Sequence, residues 1–158
     1  MKKFVILDNI RSAHNVGSIF RTSDGAGVSK VFLVGHTPAP IDRFGREQPE
    51  IKKTSLGATN SVEWESCEDS AVLVKELKEV GVEIISVEQE AVATDYQDYK
   101  MNGDTAYVFG NEVDGVSQEF IDETEQVMEI PQFGTKHSLN VSVAAGISIW
   151  ELYKLLSR

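Results

Sequence analysis

Cysteine occurs once in the 158 residues, at Cys67, so the chain closes no internal disulfide and offers no cysteine cluster to a metal. Histidine is nearly as scarce. His14, His36 and His137 lack metal-ligand spacing and read as surface or loop residues, so no metal is expected. Long hydrophobic runs are missing as well: nothing approaches the ~20 apolar residues that span a bilayer, and no basic start leads into a signal-like apolar run. These absences lead us to expect a cytoplasmic protein without a membrane partner. Positive charge is also short, with 15 Lys and Arg against 25 Asp and Glu and a net charge of −10. That excludes a protein that binds polyanions through an evenly basic surface.

The charge that is present is unevenly placed. Residues 1–60 hold nine Lys/Arg against five Asp/Glu, and residues 61–158 hold six against twenty, so the two parts carry +4 and −14. A polyanion should therefore meet the N-terminal part, where Arg11, Arg21, Arg43, Arg46, Lys52 and Lys53 lie.

Length suits one domain over residues 1–158, large enough to bury a core without staples. Phe4 to Leu7 is a continuous apolar run, as in a parallel strand covered on both faces. Strands are also expected at 30–34, 82–87, 106–109 and 127–130, with a short one around Val62 and Trp64. Helices are expected at 16–26, 51–58, 67–80, 119–123 and from Asn140 to about Leu156. Residues 35–50, with Pro38, Pro40, Gly45 and Pro49 among charges, form a long loop of the kind that is usually functional or disordered. Alternating strand and helix imply an α/β fold with a parallel sheet and helices on both faces. The final helix carries Val143, Ala144, Ile147, Ile149, Trp150, Leu152, Tyr153, Leu155 and Leu156, more apolar surface than one stripe requires, which implies deep burial or a second subunit.

Three stretches place conspicuous polar groups beside glycine at element junctions. In Asn15-Val-Gly17-Ser-Ile-Phe-Arg21, Asn15 is positioned to cap a helix and Gly17 to admit a ligand close to the backbone. Arg21, nearly two turns on, should lie close to the face of Asn15 and offers a planar fork for phosphate. In Phe109-Gly110-Asn111-Glu112-Val-Asp-Gly115 an apolar strand runs into a glycine-rich acidic turn, a natural cradle at the carboxyl edge of an α/β sheet. Met128 to Trp150 passes from a strand through a polar loop to an apolar helix, with Ser138 and Asn140 both able to cap it. Gly25-Ala-Gly27 is no dinucleotide fingerprint, because it closes a helix and lacks the third glycine.

Together, N-x-G-x-x-x-R, G-x-E-x-x-G and the 128–150 stretch resemble, in chain order, the three signature motifs of the SpoU/TrmH family of RNA ribose methyltransferases, within the knotted SPOUT class. Lys53-Thr-Ser-Leu-Gly-Ala58 is similar to a small-residue segment common in that family, and the resemblance spans essentially the whole chain. It implies a C-terminal trefoil knot, S-adenosyl-L-methionine as cofactor, RNA (tRNA or rRNA) as partner and a homodimer formed through the knot region. It further implies Arg21, Asn15, Glu112, Ser138 and Asn140 as catalytic, with Gly110, Asn111, Gly115, Ile130, Pro131, Gln132, Ser138 and Leu139 binding the cofactor. The implied reaction is methylation of a ribose 2'-hydroxyl. Many relatives carry an added RNA-binding domain or terminal extensions, which this sequence lacks, so the RNA itself stays open. A non-catalytic RNA-binding protein that kept the fold, and a nucleotide-binding α/β enzyme using Asn15 to Arg21 for phosphate, remain as alternatives.

Overall fold

The computed structural model describes the backbone of residues 1–156 and the side chains as far as Glu151. Seven strands form one parallel sheet: β1 (Lys3–Asp8), β2 (Lys30–Val34), β3 (Glu63–Cys67), β4 (Glu83–Val87), β5 (Thr94–Asp95), β6 (Thr105–Phe109) and β7 (Gln126–Glu129). Their order across the sheet is β3-β2-β1-β6-β4-β7-β5. β6 therefore sits at the centre. It pairs with β1 in the register Leu7 to Phe109 and with β4 in the register Val87 to Phe109.

Alternation along the central strands divides the core in two. Val5, Leu7, Tyr107 and Phe109 face one side, with Val16, Ile19, Phe20, Ile51, Ala145 and Ile149 from the helices packed there. Ile6, Ala106 and Val108 face the other, against Leu73, Val74, Leu77 and Phe120. Each large side chain fully buried this way stabilises the fold by roughly 1.5–3 kcal/mol. The parallel sheet with helices on both faces is as expected from the sequence.

The helices are α1 (Ala13–Gly25), α2 (Pro49–Ser55), α3 (Ala58–Ser61), α4 (Ser70–Glu79), α5 (Gln118–Glu123) and α6 (Val141–Leu156). Helix α1 begins three residues before its expected start. Its cap is Ser12, whose Oγ accepts the Asn15 N–H at 3.2 Å, so Asn15 is not the cap but a buried residue of the first turn. Gly17 is likewise not turned towards a ligand. It lies where α1 meets α2, and a Cβ there would collide with Thr54 Oγ1 and come within 2.8 Å of the Ile51 carbonyl oxygen. Glycine is needed because two helices touch at that point.

Helix α4 starts at Ser70, capped by the Asp69 carboxylate, and leaves Cys67 to the end of β3. Ser117 precedes α5 without a side-chain cap; its N–H donates to Asp8 Oδ2 at 2.7 Å instead. Asn140 caps α6, with Oδ1 accepting the Ser142 N–H at 2.9 Å. Helix α6 returns from the β7 side of the sheet to lie against α1. Ala145 and Ile149 are buried there, while Val143 and Trp150 stay about half exposed. The side chains of Leu152, Tyr153, Leu155 and Leu156 lie outside the described residues.

Candidate active site

The carboxyl ends of β1, β4, β6 and β7 converge on a cleft of about 460 Å³, within the size range of small-molecule sites. Its wall follows from a tight turn after β6. Asn111 and Gly115 exchange backbone hydrogen bonds at 3.0 Å each way, and Asn111 Oδ1 accepts the N–H groups of Val113 and Asp114 at 2.9 and 3.0 Å. The turn closes so tightly that a Cβ on Gly110 would run into the backbone of Gly115 and Val116. Gly115 itself has φ of +74°, which favours glycine.

Three further contacts fix this turn to the sheet. Glu88, just past β4, accepts the Val116 N–H at 3.0 Å; Asp8, the buried last residue of β1, accepts the Ser117 N–H; and Asn111 Nδ2 donates to the Asn9 carbonyl at 2.8 Å. Asn9 in turn, at φ of 53°, accepts the His36 N–H on Oδ1 at 2.9 Å, joining the next loop to the same junction. Sequence reasoning missed Asp8, Asn9 and Glu88. Only the acidic pair Asp8-Asn9 at a strand end gave a signal, and it was that of an ordinary strand terminator.

Glu112 projects from the turn to the start of α1. Its Oε2 accepts the Arg11 N–H at 3.0 Å, and its Oε1 accepts the Ser12 N–H at 3.0 Å and the Asn15 Nδ2 at 3.3 Å. Burial raises its pKa, but the N–H groups of Arg11 and Ser12, its own amide and Asn15 outweigh that and hold it below the usual glutamate value. The Glu112 and Asn15 pairing expected from the motifs is thus present as a direct contact.

The opposite wall comes from the segment between β7 and α6. Ile130, Gln132, His137, Ser138, Leu139, Val141 and Ala144 line the cleft there. Of the sequence-predicted cofactor residues, Gly110, Asn111, Gly115, Ile130, Gln132, Ser138 and Leu139 meet in this one space, and Glu112 with them. Pro131 and Asn140 do not line it. Asn140 is engaged as the α6 cap, its Oδ1 also accepting from Ser142 Oγ at 2.6 Å.

Arg21 is also outside the lining. Six residues rotate a helix by about 600°, so Arg21 points some 120° away from Asn15, and it stands about 9 Å further along the axis. Asn15 is buried and Arg21 exposed, so the two do not share a face as expected. Among the described residues Arg21 makes no hydrogen bond or ion pair.

Electrostatically the cleft is one-sided. Glu88, Glu90, Glu112 and Asp114 line it and, among the described residues, no lysine or arginine does. It suits a ligand that carries positive charge and approaches the backbone at Gly110 closely. No group of three or more potential metal ligands occurs among the described residues.

Comparison with known proteins agrees with this arrangement. A 23S rRNA (guanosine-2'-O-)-methyltransferase, RlmB, from Neisseria meningitidis is 33% identical over 147 residues, 93% of this chain and 56% of the relative. An AdoMet-bound rRNA methyltransferase structure from Sinorhizobium meliloti superposes with a TM-score of 0.88 at 27% identity, covering 97% of this chain and 56% of that one. The Aquifex-type "A. aeolicus TrmH/SpoU tRNA modifying enzyme" superposes with a TM-score of 0.86 at 26% identity, covering 99% and 76%. The chain thus spans a little over half the length of the curated relative it matches. Residues 2–150, which include every wall of the cleft, match the model of the SpoU rRNA Methylase family, and the chain belongs to that family.

Proposed function

We propose that the chain is an RNA 2'-O-ribose methyltransferase that uses S-adenosyl-L-methionine. The observation that carries this is the meeting of the Gly110–Gly115 turn, Glu112 with Asn15, and the 130–139 segment around one acidic cleft at the sheet's carboxyl edge. The residues fit the cofactor. A cation with an ammonium and a sulfonium centre matches a lining with four carboxylates, and the side-chain-free backbone at Gly110 gives it a close wall. Backbone groups around Gly110, Ile130, Gln132 and Leu139 would hold its adenosine and methionine parts.

Bound there, S-adenosylmethionine supplies an electrophilic methyl group, whose transfer to the 2'-oxygen leaves a neutral thioether and sets the hydroxyl proton free. The protein's share is positioning and electrostatics. Glu112 and Asn15 hold the start of α1 against the cleft, which fixes the helix that carries Arg21. Arg21 meets an RNA phosphate and stabilises charge developing on the 2'-oxygen. A guanidinium does not deprotonate in proteins, so a phosphate or solvent takes the proton. Ser138, on the cleft wall, and Asn140, at the head of α6, border the reaction side.

Arg21 reaches no cleft in its own chain, and a homodimer supplies the remedy. Phe133, Leu139, Val143 and Trp150 are exposed apolar side chains at 96, 38, 48 and 47%, and Val143 and Trp150, seven apart, share one face of α6. Pairing through this surface would bring the partner subunit's Arg21 towards the cleft. The return from β7 to α6 would thread the family's trefoil knot. The reaction is placed in the cytoplasm on tRNA or rRNA.

Titration calorimetry with S-adenosylmethionine and S-adenosylhomocysteine is the first test, followed by transfer of tritiated methyl groups to total RNA and digestion to 2'-O-methyl nucleosides. Binding with transfer supports the enzyme. Binding of RNA without any affinity for either cofactor form would leave a non-catalytic RNA-binding protein. Full turnover by Arg21→Lys would remove the proposed role of the arginine fork, and a light-scattering mass of one 17.5 kDa protomer would remove the dimer.

A further inference from the structure

The loop between β2 and α2 takes no part in the cleft, yet its tip is firmly built. Ile41 and Glu47 form an antiparallel bridge, and Asp42 organises the turn between them. Its carbonyl accepts the Gly45 N–H at 3.0 Å, and its Oδ1 accepts the N–H groups of Phe44 at 2.8 Å and Arg46 at 3.0 Å. Gly45, at φ of +76°, completes the reversal. The turn displays Phe44, 66% exposed, with the guanidinium carbons of Arg43 and Arg46 at 4.8 and 5.0 Å from its ring centroid. Arg46 is paired to Asp42 at 2.8 Å, whereas Arg43 makes no ion pair among the described residues.

An exposed aromatic ring flanked by two planar cations is a stacking platform with charge at its rim. Unpaired bases stack on aromatic rings and on guanidinium planes, and arginines beside them meet the phosphates on either side. Position favours the same ligand. Thr37, at the start of this loop, accepts the Ile10 N–H at 3.0 Å, and Ile10 adjoins Arg11, whose N–H is held by Glu112 at the cleft. The tip therefore grows from the same carboxyl edge of the sheet as the cleft, on the electropositive N-terminal part of an otherwise acidic chain. The acidic cleft repels phosphate, so an RNA that offers a ribose to it needs its backbone held elsewhere.

We propose that the Ile41–Glu47 tip is an RNA-docking element, in which Phe44, with Arg43 and Arg46, stacks an unpaired base and neutralises its flanking phosphates. The proposal rests on the RNA-methyltransferase reading and narrows its substrate to RNA with an unpaired nucleotide near the methylated ribose.

Fluorescence anisotropy of the full chain with a labelled 12-nucleotide oligouridylate and a 12-base-pair RNA duplex tests this, with cofactor calorimetry run on each variant. Phe44→Leu should weaken the single strand about tenfold and leave the duplex and the cofactor unchanged, and Phe44→Trp should restore binding. Arg43→Gln with Arg46→Gln should lower the slope of log affinity against log salt by about one. An unchanged unfolding midpoint for Phe44→Leu shows the fold intact. Equal single-strand binding by Phe44→Leu and the parent chain, or no single-strand binding by the parent chain, overturns the docking element. Cofactor binding in that same case leaves the methyltransferase intact, whereas its absence removes the methyltransferase as well. A change in oligomer mass on Phe44→Leu with RNA binding kept would make the tip a protein contact and also overturn the proposal.

Discussion

The Gly110–Val116 turn and the Ile41–Glu47 tip are both tight, polar reversals arising from the same edge of the sheet, and a carboxylate accepting backbone N–H groups organises each. They differ in reach. Glu112, Glu88 and Asp8 tie the first turn to α1, β4 and β1, across 28 to 109 residues of sequence. Asp42 serves only its own neighbours, two to four residues away. The first turn is therefore part of the framework and shapes a cleft, while the second is a local display that can change without disturbing the core. Similar chemistry gives a wall in one place and a handle in the other.

Gly110→Ala should break that comparison most severely. The added methyl meets backbone on the other side of the turn, which cannot swing aside like a flexible side chain. We expect a loss of about 3 kcal/mol in denaturant unfolding, within the range for overpacked sites. Cofactor binding by calorimetry should disappear with it; retained affinity would show that the turn does not form the cofactor wall.

Glu112→Gln should come next. An amide NH₂ replaces one of two oxygens that each accept N–H groups, leaving donor opposed to donor. The cost is about 1 kcal/mol, at the low end because the carboxylate is reached by solvent. Its pH dependence has a definite sign. The folded carboxyl titrates below its ordinary value of 4.5, so its stabilisation is complete above 4.5 and is lost as pH falls through the lower folded value. The gap between the parent chain and Glu112→Gln should therefore be widest near neutrality and narrow in acid. A gap that widened in acid would contradict the hydrogen-bonded carboxylate.

Asp42→Asn should have the smallest effect on stability. Its carboxyl is also held below the ordinary value, first by the Arg46 N–H, but it lies fully in solvent. The unfolding midpoint should stay where it is while the tip loosens, seen as faster amide exchange at Phe44 and Arg46. A clear drop in midpoint would mean that the tip belongs to the framework after all.

How much of this was legible in the chain depended on how local each interaction is. The strands at 3–8, 30–34, 83–87 and 105–109 declare themselves as short apolar runs because both faces are covered. β5, only Thr94 and Asp95, has no such pattern and exists because β7 lies beside it. The first turn of α1 was read as a polar turn, since Ser12, His14 and Asn15 look alike in a loop or at a helix start. Gly17 and Gly110 were conspicuous, yet only three dimensions show that one is a helix crossing and the other a turn folded upon itself. The cleft was legible where glycine and acid fall together, at 110–115. Glu88 and Asp8 were not, because what distinguishes them is an amide many residues away.

The central position of β6 has a consequence for the order in which the molecule is built. β1 and β2 can pair through the short α1 crossover soon after they are synthesised, but the other edge of β1 must wait for residues 105–109, a hundred positions later. β6 then enters a slot with a neighbour on each side, β1 and β4. Closing so long a chain segment is entropically costly, and such non-local pairing slows folding. The growing chain thus carries an open β1 edge until nearly the end of the Phe109 segment, and α6 can find its seat on α1 only after that gap has closed. A nascent chain halted before β6 would present its most apolar strand to whatever lies nearby, so protection on the ribosome matters most for this stretch of synthesis.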